Sequence, residues 1–306
     1  MKRYSIGIDI GGTNIKIGIV DPKGCIIARS RISTADVAKN RNIMLDAIAD
    51  SVIGMMIASG LRKKDIEGVG IGVPGLVNYG TGTVISLTNI FGWKNVQLSA
   101  LLKKRLSFPV YVDNDVNLIA LAEWKLGAGR GYHDLLCITL GTGVGGGLII
   151  NDRLYRGVSF AAGEIGHMPL NERGPKCNCG GEACFERYVG NSALLKKAVK
   201  VFKRKDIRLE EIGMLANKKD KKALAFWEEA GYYVGLGLVG FINVFNPEAI
   251  IIGGGVSNNL PYMKSSINKT INDRAMSIQS RKVKILRASL GDDAGVLGGQ
   301  VLVSSK

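Results

Sequence analysis

The sequence predicts an α/β protein built as two similar lobes, and three observations carry that expectation. At 306 residues the chain is longer than one hydrophobic core usually serves. Strand-like apolar runs alternate with helical stretches along its length, which is the grammar of an α/β architecture. One supersecondary unit also occurs twice: an apolar strand, a glycine turn, a second strand, a tight turn and a third strand.

The first copy runs through a strand at 4–10, the turn Gly11-Gly12-Thr13-Asn14, a strand at 15–20, the turn Asp21-Pro22-Lys23-Gly24 and a strand at 25–32. A helical stretch at about 42–59 and apolar strands at 69–73 and 110–112 follow. A helix then opens at Asn114 and runs to about Trp124, with Asp113 or Asn114 available as its N-cap. The second copy starts at 135–140 and passes through Gly141-Thr142-Gly143-Val144-Gly145-Gly146-Gly147, a strand at 148–150, the turn Asn151-Asp152 and Leu154-Tyr155. After it come a cysteine-rich loop at 177–184, a mostly helical run at 191–245 and a strand at 249–252 that ends in Gly253-Gly254-Gly255. Gly291-Asp292-Asp293 precedes a final helix at 294–303. The expected lobes are 1–117 with 294–306, small and N-terminal, and 118–293, larger and C-terminal.

With 46% hydrophobic and 22% charged residues, the composition is that of an ordinary globular protein. No window approaches the ~18 uninterrupted apolar residues of a membrane span. The first residues, Met1-Lys2-Arg3-Tyr4-Ser5, show no apolar leader with a cleavage site, so a cytoplasmic setting without a membrane partner is expected. The net charge of +15 favours polyanions. Its densest stretches, Lys196-Lys197, Lys203-Arg204-Lys205 and Lys218-Lys219-Asp220-Lys221-Lys222, fall on expected helix surfaces and read as solvated faces. No helix-turn-helix precedes the first strand and no aromatic-studded basic motif follows, so nucleic acid is not an expected partner.

Gly141-Thr142-Gly143-Val144-Gly145-Gly146 fits G-x-G-x-x-G, but a dinucleotide fold needs a helix directly after it and an apolar strand follows instead. A P-loop sequence is absent. What remains is a pair of glycine hairpin turns, either of which alone reads as an ordinary turn. Together their backbone amides can converge on phosphate oxygens, since glycine puts no Cβ in the way. Asp9 closes the first strand, where a carboxylate suits Mg²⁺, and Lys16 stands three residues past Thr13. A carboxylate, a glycine turn and an ammonium group suit phosphoryl transfer, which depends on positioning and charge neutralisation.

Asp113-Asn114-Asp115 lies at a strand-to-helix junction, and helix capping accounts for only one of these polar residues. A hydroxyl attacking a γ-phosphate needs a carboxylate to accept its proton, and Asp115 is the candidate base. Gly163-Glu164-Ile165-Gly166-His167 and Glu186 supply further groups for a ligand with several hydroxyls. His133 has no such company and reads as structural. Of five cysteines, Cys177, Cys179 and Cys184 fall within eight residues. With His167 upstream they make a Cys₃His set, the closed tetrahedral arrangement of a structural zinc. Cys25 and Cys137 lie in expected strands and read as small core residues.

Together these residues resemble the ROK family of sugar kinases nearly end to end. Asp9-Ile10-Gly11-Gly12-Thr13-Asn14-Ile15-Lys16 is similar to its first phosphate motif, and Gly141-Thr142-Gly143 to its second. Gly72-Val73-Pro74-Gly75 with Asn89 and Trp93 resembles the sugar-side loops, and Asn114-Asp115 the catalytic segment. The most specific likeness is Gly163-Glu164-Ile165-Gly166-His167 followed by Cys177-x-Cys179-Gly180-x-x-x-Cys184-x-Glu186; the usual pattern has glycine where this chain has Ala183.

The resemblance implies an actin-like ATPase fold, ribonuclease H-like and duplicated into two lobes, with a structural zinc loop. It implies hexose contacts from Gly75, Asn89, Asn114, Asp115, Glu164, His167 and Glu186. ATP with Mg²⁺ would lie against Asp9, Gly11, Gly12, Thr13, Asn14 and Lys16, Gly141, Thr142 and Gly143, with Gly253-Gly254-Gly255 and the segment near Gly291 flanking the adenosine. Zinc on one nitrogen of His167 would fix the ring so that the other faces the sugar. A homodimer is implied as well.

The family includes sugar-sensing repressors with an N-terminal winged helix; Asp9 arrives too early for one, which points to the enzyme. Glucose, mannose, fructose, allose and N-acetylated hexosamines are all served by similar contacts, and the stretch 89–96 resembles the glucokinase branch. The expectation is ATP-dependent phosphorylation of a hexose at its 6-hydroxyl, glucose first. N-acetylglucosamine, N-acetylmannosamine or fructose are alternative substrates, a non-catalytic sugar sensor is the alternative of another class, and the charge leaves polyphosphate open as a donor.

Overall fold

The structure is a computed structural model that describes residues 3–87 and 92–306. Its framework is two five-stranded sheets of matching design. In the first, β1 (Tyr4–Ile10) and β2 (Asn14–Val20) form an antiparallel hairpin, β3 (Ile26–Ser33) adds antiparallel to β2, and β4 (Ile66–Val73) and β8 (Val110–Asn114) continue in parallel on the other side. In the second, β9 (Leu135–Leu140), β10 (Val144–Ile150) and β11 (Arg153–Tyr155) repeat the antiparallel part, and β12 (Ala249–Gly253) and β13 (Lys284–Arg287) the parallel part. The orders β3-β2-β1-β4-β8 and β11-β10-β9-β12-β13 are therefore equivalent. This is the duplication that the repeated strand–glycine turn–strand pattern predicted. A small antiparallel sheet of β5 (Gly75–Asn78), β6 (Thr83–Leu87) and β7 (Lys94–Val96) follows β4.

Strand periodicity places the helices. Alternate residues of β1 and β2, Ile6, Ile8, Ile10, Ile15, Ile17 and Ile19, are completely or almost completely buried against α2 (Arg41–Ala58) and α3 (Leu98–Leu106), beside the short α1 (Thr34–Val37). The other face of that sheet meets α11 (Ala294–Ser304) at backbone distance: a Cβ on Gly7 would lie 1.9 Å from the Val296 carbonyl oxygen, and one on Gly70 2.0 Å from that of Gly299. Only glycine permits that approach. With α4 (Asp115–Lys125), α11 also packs on Leu135, Cys137 and Ile251 of the second sheet. The opposite face of that sheet, carrying Leu136, Ile138, Ile250 and Ile252, is covered by α6 (Asn191–Phe202), α7 (Leu209–Asn217), α8 (Lys221–Phe245) and α9 (Leu260–Arg274). Short helices α5 (Glu186–Val189) and α10 (Ser277–Ser280) complete the set. Helices α4 and α11 thus form one layer between the two sheets.

One expectation is corrected. Cys25 lies just before β3 rather than inside the core: its amide is tied to Asp21 Oδ1 at 2.8 Å in the hairpin turn, and its side chain is exposed. Cys137 is buried as expected, and burial pushes its thiol well above the usual range. Among the described residues no helix is long and apolar enough to cross a membrane.

Candidate active site and metal centre

Both glycine turns sit at the same end of their hairpins. Thr34 pins the first by donating its hydroxyl to the Gly11 carbonyl at 2.7 Å and its amide to the Thr13 carbonyl at 2.9 Å. The second is pinned by the Asn191 amide, which donates to the Gly141 carbonyl at 2.8 Å. The space where Cβ atoms would project from Gly12 and Gly141 is open. Asn14 starts β2, and Lys16 stands directly across the hairpin from Asp9. Lys16 Nζ is also 3.2 Å from Asp292 Oδ1. Asp9 lies against Gly295 at the start of α11; burial raises its carboxyl above the ordinary range, Lys16 draws it down and Asp292 pushes it up.

At the end of β8 the chain divides three polar residues among three tasks. Asn114 is the N-cap of α4: its Oδ1 accepts from the amides of Val116 at 2.9 Å and Asn117 at 3.2 Å, and its Nδ2 donates to the Gly75 carbonyl at 3.2 Å. Asp115 opens the helix and is not consumed by capping. Burial pushes its carboxyl up to about 7, with the charges of Asp9 and Glu164 adding to the rise and the Val116 amide opposing it. Asp9 at the end of β1, Asp115 at the start of α4 and Glu164 in the loop after β11 thus stand close enough for their charges to act on one another. Asp113 is buried and accepts from Arg156 Nε at 2.7 Å and Nη2 at 2.6 Å.

Gly163 and Gly166 seat the loop after β11 on β10. Gly163 has φ +94, and a Cβ there would lie 2.3 Å from the Gly146 carbonyl oxygen. Glu164 precedes and His167 ends a single 3₁₀ turn, with His167 Nε2 3.8 Å from Glu164 Oε2. The other ring nitrogen, Nδ1, is 3.7 Å from Cys177 Sγ. Glu186, at the start of α5, has Oε1 3.2 Å from Cys177 Sγ, and its Oε2 would be 2.8 Å from a Cβ on Gly143. Glu186 therefore links the cysteine loop to the second glycine turn. Asn89 lies outside the described residues.

His167, Cys177, Cys179 and Cys184 place their ligand atoms within 4.8 Å of one another, with Cys179 and Cys184 Sγ 3.6 Å apart. Zinc–sulfur bonds of about 2.3 Å at tetrahedral angles require sulfur–sulfur edges of about 3.8 Å, so the set fits the ion. Gly180 turns the loop with φ +96, and the Cys177 amide donates to the Gly181 carbonyl at 2.8 Å. Ala183 has φ +55, which explains why the pattern it departs from carries glycine there.

On the far side of the second turn, Gly254 adopts φ +81 with room for no side chain: a Cβ would lie 2.4 Å from the Leu140 carbonyl oxygen. Beside it, Gly255, Asn191, Leu195, Arg208, Gly213 and Tyr262 line a cavity of about 690 Å³. The segment at Gly291 faces β2 and β3, where Asp292 pairs with Lys16 and Arg31, and Asp293 with Arg29.

Sequence reasoning missed two residues that shape this region. Glu123 on α4 is completely buried and accepts from the amides of Ala128, Ser289 and Leu290 at 2.8–2.9 Å, holding the turn that leads to Asp292. Arg156 grips Asp113 and stacks 3.6 Å over the Tyr79 ring. Neither sits in a motif, and their partners are far away in the chain.

The ROK family description matches residues 5–306. A glucokinase of Halalkalibacterium halodurans is 34% identical over 99% of this chain and 96% of its own length. A xylose repressor of Bacillus spizizenii is 32% identical over 98% of this chain and 77% of its own length. The crystal structure of a ROK family glucokinase from Streptomyces griseus in complex with glucose and AMPPNP superposes with a TM-score of 0.82 at 32% identity, covering 99% of this chain and 100% of that one. On the full-length match, the duplicated sheets and the paired glycine turns, this chain belongs to the ROK family.

Proposed function

We propose that this chain is an ATP-dependent hexose kinase that phosphorylates the 6-hydroxyl of a free hexose, with glucose the preferred substrate. The observation that carries this reading is Asp115, a half-buried carboxyl at the start of α4 raised to about 7 by burial and by the charges of Asp9 and Glu164. A general base works best when its pKa lies near the working pH, and Asp115 has that property without being the helix cap.

In this reading Asn114, held by Gly75, and Glu164 orient the sugar hydroxyls, and Asp115 accepts the proton from the attacking oxygen. His167 presents Nε2 to the sugar because Nδ1 belongs to the metal set. The amides of 11–13 and 141–143 cradle the phosphates, and the cavity beside Gly255 takes the adenosine. Asp9 would hold Mg²⁺, which supplies charge neutralisation on the transferring phosphoryl group. Zinc on His167, Cys177, Cys179 and Cys184 would fix the imidazole. The division into lobes at 117/118 and 293/294, the homodimer and the cytoplasmic setting belong to the same reading.

Similarity to xylose repressors supports a second reading, a sugar sensor without turnover. One experiment separates them: hexose phosphate formation from glucose, mannose, fructose, N-acetylglucosamine or N-acetylmannosamine, with ATP and polyphosphate as donors. The kinase reading expects hexose phosphate to form, with hexose-dependent ADP release in the ATP arm, and the highest kcat/KM for glucose. Hexose binding without turnover, together with a shifted DNA fragment, would establish the sensor instead.

A further inference from the structure

We propose that Arg156 is a positioning residue that locks the base-bearing end of β8 to the hexose loop across the two sheets. The inference rests on the kinase reading and deepens it. β8 is an edge strand of the first sheet and β11 an edge strand of the second, and Arg156 directly follows β11. Its guanidinium turns Nε and Nη2 on one oxygen of Asp113, Oδ2. The other oxygen, Oδ1, accepts from the Asn114 amide at 2.8 Å and from Asn117 Nδ2 at 2.8 Å. Asp113 therefore transmits the position of Arg156 to the backbone just before Asp115 and to the first turn of α4.

Two further contacts fix the residue, one at its guanidinium and one at its backbone. Its face lies 3.6 Å from the Tyr79 ring, just beyond β5, the strand whose Gly75 holds Asn114. On the chain side, the Arg156 carbonyl accepts from the Ala162 amide at 3.0 Å, closing the loop that delivers Gly163 and Glu164. One residue thus holds the base-bearing segment by its side chain and the root of the hexose loop by its backbone. The side chains of Arg156 and Asp113 are only 17% and 3% exposed, so solvent offers no substitute for the lost partner. A lysine could replace the charge but not the planar group that grips and stacks at once.

The test uses Arg156→Ala, Arg156→Lys and the paired variant Arg156→Gln with Asp113→Asn, which leaves no buried charge unpaired and keeps the experiment valid should Arg156→Ala fail to fold. Hexose affinity is measured by calorimetry without nucleotide, and kcat and both KM values by ADP release. Misplacing a base by about 1 Å costs up to ~10² in rate. Arg156→Ala and the paired variant should therefore lose at least about tenfold in kcat and in hexose affinity while KM for ATP stays within about twofold. Arg156→Lys should recover only part of the loss. Guanidinium ion, added far below its denaturing range, should restore turnover of Arg156→Ala without raising its Tm. Wild-type affinity and kcat in the folded variants, with only Tm lowered, would reduce Arg156 to a structural pair and overturn the proposal. A wild type that binds hexose without turnover refutes the kinase reading alone, and Arg156 is then judged on affinity; a wild type that does neither overturns both.

Discussion

Asp115→Asn should make the ligand-free protein more stable at neutral pH and nearly inactive. The folded carboxyl is held up to about 7 by burial first and by Asp9 and Glu164 next, against 3.8 for a free aspartate side chain. Between those values the folded state keeps a proton that the unfolded state releases, so Asp115 makes stability fall as pH rises from about 4 to 7. At 1.36 kcal/mol per pH unit, the accumulated cost approaches roughly 4 kcal/mol above pH 7 and about 1.5–2 kcal/mol at pH 5. Asparagine keeps the acceptor for the Val116 amide, which lies 2.9 Å from Asp115 Oδ1, and carries no charge to bury. Urea unfolding at pH 5 and 7.5 should therefore show the variant gaining about 2–3 kcal/mol more over wild type at the higher pH. Turnover should fall by ~10² or more, because the base is gone while its size is kept. A variant less stable than wild type at pH 7.5, an advantage independent of pH, or near wild-type kcat would refute the reasoning.

Two further outcomes follow from the second lobe. Elemental analysis should find one zinc per chain, with the thiols of Cys177, Cys179 and Cys184 protected from alkylation until the metal is stripped; Cys179→Ser should raise KM for the hexose more than KM for ATP, and freely reactive thiols in a metal-free wild type would remove the metal site. Gly143→Ala should leave stability within about 1 kcal/mol, because the new methyl meets only the end of the flexible Glu186 side chain. Moving that carboxylate should nonetheless lower kcat/KM for the hexose by about tenfold, and an unchanged value would detach Glu186 from the sugar site.

The parts of the molecule that were legible in the sequence share a local cause. Both hairpins announce themselves because strand, turn and strand are contiguous, and the glycines mark where the backbone must turn. The zinc set is legible because three of its four ligands share one loop, with His167 ten residues before Cys177. That one of Asp113 and Asn114 caps α4 and leaves Asp115 spare also follows from adjacency, while the structure selects Asn114 as the cap. What escaped is long-range. Glu123 meets Ser289 at a separation of 166 residues, and Arg156 meets Asp113 at 43, so neither pairing leaves a local pattern. The small β5–β7 sheet escaped for another reason: its strands are short and only partly buried, which blurs the alternation that identifies a strand. Cys25 was misplaced because an apolar run beginning at a turn does not show which residue first enters the sheet.

Helix α11 lies on β1 and β4 with glycine on both sides of the contact, although it is the last helix in the chain. During synthesis, the first sheet is fully translated long before its cover exists. At ~5–20 residues per second, roughly 10–50 s separate the end of β4 from the end of α11. Throughout that interval one face of the nascent sheet is bare, and its glycines offer other chains a flat backbone surface. The N-terminal lobe therefore cannot mature in the order it is made. Its completion waits for the ribosome to reach α11, and until then the early strands keep an uncovered face.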